Sequence, residues 1–161
     1  MDEGRLTALF RKLGAPDPEG WAGSQAQEGI NQLGRYLFLR QAWRLILPEG
    51  DYRWIDRSIA QAERNPSEPY SGGGLALAKL RKRGATDEEL TDLVRAQQAE
   101  LLFGFCYLLS DPGELEPEVE DFAWQLTQVD GSGNPIGEIS SLHESVLETD
   151  PTGREMRPRA R

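Results

Sequence analysis

Leu6, Leu9, Phe10 and Leu13 recur at helical spacing, and Gly14 closes the pattern ahead of Pro16 and Pro18. The spacing predicts a short amphipathic helix over 3–13. Three glycines and two prolines then mark 14–23 as a loop. Ser24 and Gln27 match a capping box, and a long helix is expected from there to Leu47, stopped by Pro48 and Gly50. Its apolar positions, Ile30, Leu33, Leu37, Phe38 and Leu45 extended by Tyr36, Leu39, Trp43 and Leu47, run almost all round, as expected of a helix central to the core.

Asp51 stands where it can cap a further helix to Arg64, with Trp54, Ile55, Ile59 and Ala62 as its buried side. A loop rich in proline and glycine follows over 65–74, and Leu75–Arg83 forms a short helix whose basic end suits the helix dipole, stopped by Gly84. Thr86 and Glu89 are a second capping box. Beyond them Leu90, Leu93, Val94, Gln97, Leu101, Phe105 and Leu108 keep helical spacing for more than twenty residues. Gly104 costs that helix about 1 kcal/mol relative to Ala.

Asp111-Pro112-Gly113 breaks the chain, and an acidic loop runs to Asp121. The period then changes to two, with Phe122, Trp124 and Leu126 alternating with polar or small residues. Dense turn chemistry over Asp130–Pro135 and a return through Ile136 and Ile139 give a β-hairpin over 122–139. Two strands alone are marginal, so the hairpin must lie on helices or gain a strand. Ser141 and Glu144 suggest a short final helix to Leu147. The fold class expected is mainly α: five or six helices with a C-terminal hairpin. One globular domain is expected over 1–149, with a loose basic tail over 150–161. No internal repeat is visible.

Length and composition agree with a packed domain. A chain of 161 residues can bury about 70% of its unfolded surface. Four Trp and five Phe are more than solvated, disordered chains carry. The single cysteine, Cys106, excludes an internal disulfide and lies in the apolar run Leu101–Leu109, so it reads as a small buried hydrophobe. The acidic N-terminus is unlike a signal peptide, and no apolar run approaches the ~20 residues that span a bilayer. These features point to a soluble, cytoplasmic protein with no membrane partner.

Charge changes the picture most. From Ala96 to Gly153 there is no Lys or Arg but there are twelve acidic residues, while residues 1–95 balance at fourteen of each sign. The net charge of −9 therefore belongs to one stretch. A field of that sign repels phosphates and attracts basic partners, so direct nucleic-acid binding is not expected and a basic protein partner is. The expected contact residues are Asp111, Glu114, Glu116, Glu118, Glu120 and Asp121. An acidic surface of this kind speeds encounter with basic partners, which suits an inhibitor or immunity protein.

A second constellation is Tyr36, Arg40, Arg44 and Glu100, with His143 as a further candidate. Arg40 and Arg44 share a helix face with Tyr36, and Glu100 interrupts an apolar helix, so an ion pair from Glu100 to Arg40 or Arg44 is expected. Such a group either stabilises the fold or lines a polar pocket for a small molecule, the alternative to an interaction protein. One His and one Cys do not make a zinc site. Asp130, Ser132 and Asn134 begin like a calcium loop, but Pro135 stands at the glycine position and Ser141 at the bidentate Glu position, so a turn is expected. Ser71–Gly74 lacks the order of a phosphate loop and reads as a flexible linker. No cofactor, metal or catalytic set is expected. The basic tail could fold onto the acidic stretch, or pair with it between subunits.

Overall fold

A computed structural model describes residues 1–159; the last two residues of the expected tail lie outside them. The described chain is mainly helical: α1 (Glu3–Leu13), α2 (Pro18–Glu28), α3 (Gln32–Trp43), α4 (Arg53–Arg64), α5 (Ser71–Lys82) and α6 (Asp87–Leu108). A two-stranded antiparallel hairpin follows, β1 (Leu126–Val129) and β2 (Pro135–Ile139), and short 3-10 turns occupy Pro117–Val119 and Leu142–Ser145. Mainly α with a C-terminal hairpin is thus the fold class. The residues cluster into two compact units: Met1–Leu45 with the chain from Ala99 onward, and Ile46–Gln98.

In the first unit, Asp2 caps α1 by accepting from the Arg5 N–H, and Gly14 ends it in the left-handed conformation. The expected loop over 14–23 and the single helix from Ser24 to Leu47 are both corrected. Asp17 caps a helix with Pro18 in its first turn, the position where proline is pre-organised and its missing N–H costs nothing. Gly29, at φ 75°, then breaks the helix, and the Asn31 side chain caps α3 by accepting from Gly34. Ser24 is therefore inside α2 and caps nothing; its hydroxyl accepts from Gln32 Nε2 at 2.9 Å. Three rings close the core between these helices. Phe10, Trp21 and Tyr36 have centroids 5.4–5.9 Å apart, around buried Leu6 and Ala22.

The C-terminal segment is bonded to the same helices. Trp43 Nε1 donates to the Val146 carbonyl at 3.0 Å, and Trp21 Nε1 to Glu148 Oε1 at 2.7 Å. Asn31 Nδ2 holds the hairpin, donating to Gln128 Oε1 at 2.7 Å and to the Glu138 carbonyl at 3.1 Å. The marginal hairpin thus lies on a helix rather than gaining a strand. Its strands are shorter than expected: Leu126 pairs with Ile139, and Phe122 and Trp124 precede the ladder. Asp150, where the loose tail was expected to start, is buried. Its carboxylate accepts from Thr152 and from the Met156 N–H.

In the second unit, α4 and α5 pack at very short range. A Cβ placed on Gly74 would lie 2.2 Å from the Ser58 carbonyl oxygen and 2.6 Å from Ala62 Cβ. Ser71–Gly74 is consequently the first turn of α5, not a flexible linker: the absent side chain at Gly74 lets one helix rest on the other. Ile55, Leu77 and Leu90 form this unit's core with Trp54 and Ile59 against them. The Thr86–Glu89 capping box forms as expected at the start of α6. The Glu89 carboxylate accepts from the Thr86 N–H at 2.8 Å, and the Glu89 N–H donates to Thr86 Oγ1 at 3.2 Å. Arg81 bridges Asp56 and Asp87, both at 2.6 Å.

Candidate interaction surface

The second half of α6 has two sides. Ala99 and Cys106 are buried, and Leu102 and Leu109 are half-buried. Burial pushes the Cys106 thiol up to about 11, so it is an inert hydrophobe rather than a nucleophile. The stripe expected from periodicity points the other way: Leu101, Phe105 and Leu108 are 72%, 52% and 44% exposed. The spacing locates the helix correctly and its buried Leu90, but not the buried face of its second half. Leu102–Leu109 carries apolar side chains almost all round, and the fold covers one side of them.

The chain leaving α6 is pinned. Asp111 Oδ1 accepts from the Gly113 N–H at 2.8 Å, and Tyr107 OH donates to Asp111 Oδ2 at 3.4 Å. Glu116 precedes the 3-10 turn, and the Phe122 N–H closes onto the Val119 carbonyl at 2.9 Å. Trp124 then turns back, and its Nε1 donates to the Leu108 carbonyl at 2.6 Å. That carbonyl belongs to the last residue of α6, one of those a helix leaves without an internal partner. Phe122 lies beside Trp124, rings 6.2 Å apart, and is 62% exposed.

All six expected contact residues, Asp111, Glu114, Glu116, Glu118, Glu120 and Asp121, are exposed. Leu115 and Pro112 between them are half-buried, while Pro117 and Val119 are exposed with the carboxylates. Further on, the Asp130 carboxylate accepts from the Ser132 and Asn134 N–H groups at 2.8 and 3.0 Å, and these bonds with Asn134 hold it below the usual carboxylate range. Asp130 organises the hairpin turn.

The other candidates differ in exposure. Tyr36 is buried in the aromatic core, where its hydroxyl donates to the Leu13 carbonyl at 3.1 Å; burial raises its pKa, against the nearby Arg40 charge. Arg40 is half-buried, and Arg44 is exposed and donates to Gln41 Oε1 at 2.9 Å. Glu100 is exposed on α6. His143 packs edge-on against Phe103 and Tyr107, at 6.0 and 4.9 Å, with Nδ1 buried and without a hydrogen-bond partner.

The arginine buried in this unit is one that periodicity did not single out. Arg35 Nε donates to the Ser140 carbonyl at 3.1 Å, and its Nη1 lies 3.6 Å from Glu144. Burial lowers its pKa, opposed by the charges of Glu144 and Glu148. Nothing local marks Arg35 apart from Arg40, because its partners lie more than a hundred residues away.

Two grooves open elsewhere. One, of about 430 Å³, is mostly apolar and lies between α4 and α5, lined by Trp54, Tyr70, Leu77 and Val94. The other, of about 620 Å³, is polar and lies where Asn31 meets Gln128 and Glu138. Neither is lined by Tyr36, Arg40, Arg44, Glu100 or His143. Among the described residues no helix is long and apolar enough to cross a membrane. No known protein family, curated protein or solved structure matches the chain.

Proposed function

We propose that this chain is a small acidic interaction protein of the inhibitor or immunity type, which engages a basic protein in the cytoplasm through Asp111–Asp121. One observation carries the proposal. Six exposed carboxylates stand on a hydrogen-bonded loop, inside a 58-residue stretch that holds no Lys or Arg. A loop held in shape loses less entropy on binding than a floppy acidic tail, and its uncompensated charge steers basic partners. The polar pocket expected around Tyr36 has less support, since the Tyr36 hydroxyl is satisfied within the core.

The test is capture from the host lysate with two baits, the wild-type chain and the E114Q/E116Q/E118Q/E120Q variant, at low and high salt. A stoichiometric basic protein retained by the wild type, released by salt and lost by the variant is the expected result. Equal retention by both baits refutes the proposal.

A further inference from the structure

Leu101, Gly104, Phe105 and Leu108 stand at i, i+3, i+4 and i+7 on α6, the four positions that surround a hole on a helix surface. All four are exposed, and a Cβ built on Gly104 would meet nothing within 4 Å. The hole is therefore open at its Gly104 corner. Glycine is the poorest helix former after proline, and here no close approach within the described chain requires it. The contrast with Gly74, whose missing side chain is filled by Ser58 and Ala62, is direct. Phe122 and Trp124 add apolar surface beyond the helix end, and the six carboxylates of Asp111–Asp121 follow α6 directly.

We infer that this socket receives a bulky apolar side chain from an amphipathic helix of the partner, a helix whose flanks carry Lys or Arg. A helix presents knobs at the spacing such a hole accepts, and helix recognition of this type is read at i, i+3, i+4 and i+7. Charge selects the occupant. A second copy of this chain carries the same net charge of −9, and like charges oppose association. Cationic side chains on long apolar stems lie over the apolar rim while their heads reach the acidic loop. The inference rests on the basic partner proposed above and adds its secondary structure and its apolar anchor.

The test uses the full chain and two synthetic peptides of identical Leu and Lys content. One spaces Leu on a single helix face; the other scrambles it. The patterned peptide is expected to bind at least ~10-fold tighter than the scrambled one. Gly104→Leu, which fills the hole, and a Leu101→Ser/Phe105→Ser double variant should each erase that preference, with circular dichroism unchanged. The four-glutamine variant should weaken both peptides. Equal binding of both peptides, lost in the four-glutamine variant, overturns the socket and leaves the acidic surface standing. Binding of neither removes both. A chain that sediments as a dimer and is dispersed by Gly104→Leu assigns the socket to a second copy and overturns the cationic helix.

Discussion

Trp124 Nε1 donates to the Leu108 carbonyl at 2.6 Å, so a side chain sixteen residues along closes the C-terminal end of α6. This bond ties both ends of the acidic loop to one helix terminus. Trp124→Phe keeps the ring and removes the donor. It should cost about 0.5–1.5 kcal/mol in urea unfolding, toward the low end because water can replace the indole. Amide exchange in the last turn of α6 should speed up more than exchange in α1.

Two helical glycines should respond with opposite signs. Gly104→Ala adds a methyl into open space within a helix and should stabilise the chain by about 0.5–1 kcal/mol. Gly74→Ala forces a methyl onto the Ser58 carbonyl and should destabilise by about 1–3 kcal/mol as α4 and α5 part. Thermal melts of the two variants beside wild type check both signs. Stabilisation at both sites would mean that helix propensity, not packing, governs them.

Acid should weaken the fold over a defined range. Hydrogen bonds from Arg53 hold the Asp51 carboxyl at about 2, and Arg81 and Asn134 lower Asp87 and Asp130. Each group binds its proton more weakly folded than unfolded, so its contribution is present above the unfolded value and lost as pH falls through the folded one. Stability should therefore hold above about pH 4 and fall toward about pH 2. In pH-dependent urea melts, Asp51→Asn should flatten part of that slope; an unchanged slope would remove Asp51 from the account.

Cys106 should be silent to thiol reagents in the native chain. It has no exposed surface, and its thiol is pushed up to about 11. At pH 8 the thiolate fraction alone should slow labelling by ~100-fold against an ordinary cysteine, and closed access should slow it further. Labelling followed by mass spectrometry should show rapid reaction only on adding urea. Fast native labelling would mean that this part of α6 opens readily.

Local signals were legible where both partners of an interaction lie within one turn of each other. The Thr86–Glu89 box, the stop at Gly14 and the Asp130–Pro135 turn are of this kind, and each forms as its residues imply. The helix break at Gly29 was legible too, through Asp17-Pro18 and Asn31, but the Ser24–Gln27 capping-box pattern ahead of the apolar face from Ile30 masked the signal. The acidic residues were found because exposed charge needs no tertiary partner. The socket around Gly104 was missed because apolar spacing marks a helix without saying which side the chain will cover.

By itself the sequence determined the helical class, the hairpin, the long α6 and the concentration of negative charge between Ala96 and Gly153. Propensity, capping and charge act over a few residues, and all are written in order along the chain. Only the tertiary structure decided that Arg35 rather than Arg40 is buried, that Gly74 seats one helix on another, and that Leu101, Phe105 and Leu108 face outward. Each depends on groups brought together across intervening chain: Ser140 for Arg35, Ser58 for Gly74, and for α6 the covering of Ala99 and Cys106 instead. Burial belongs to the packed assembly of elements, and no single element's pattern specifies it.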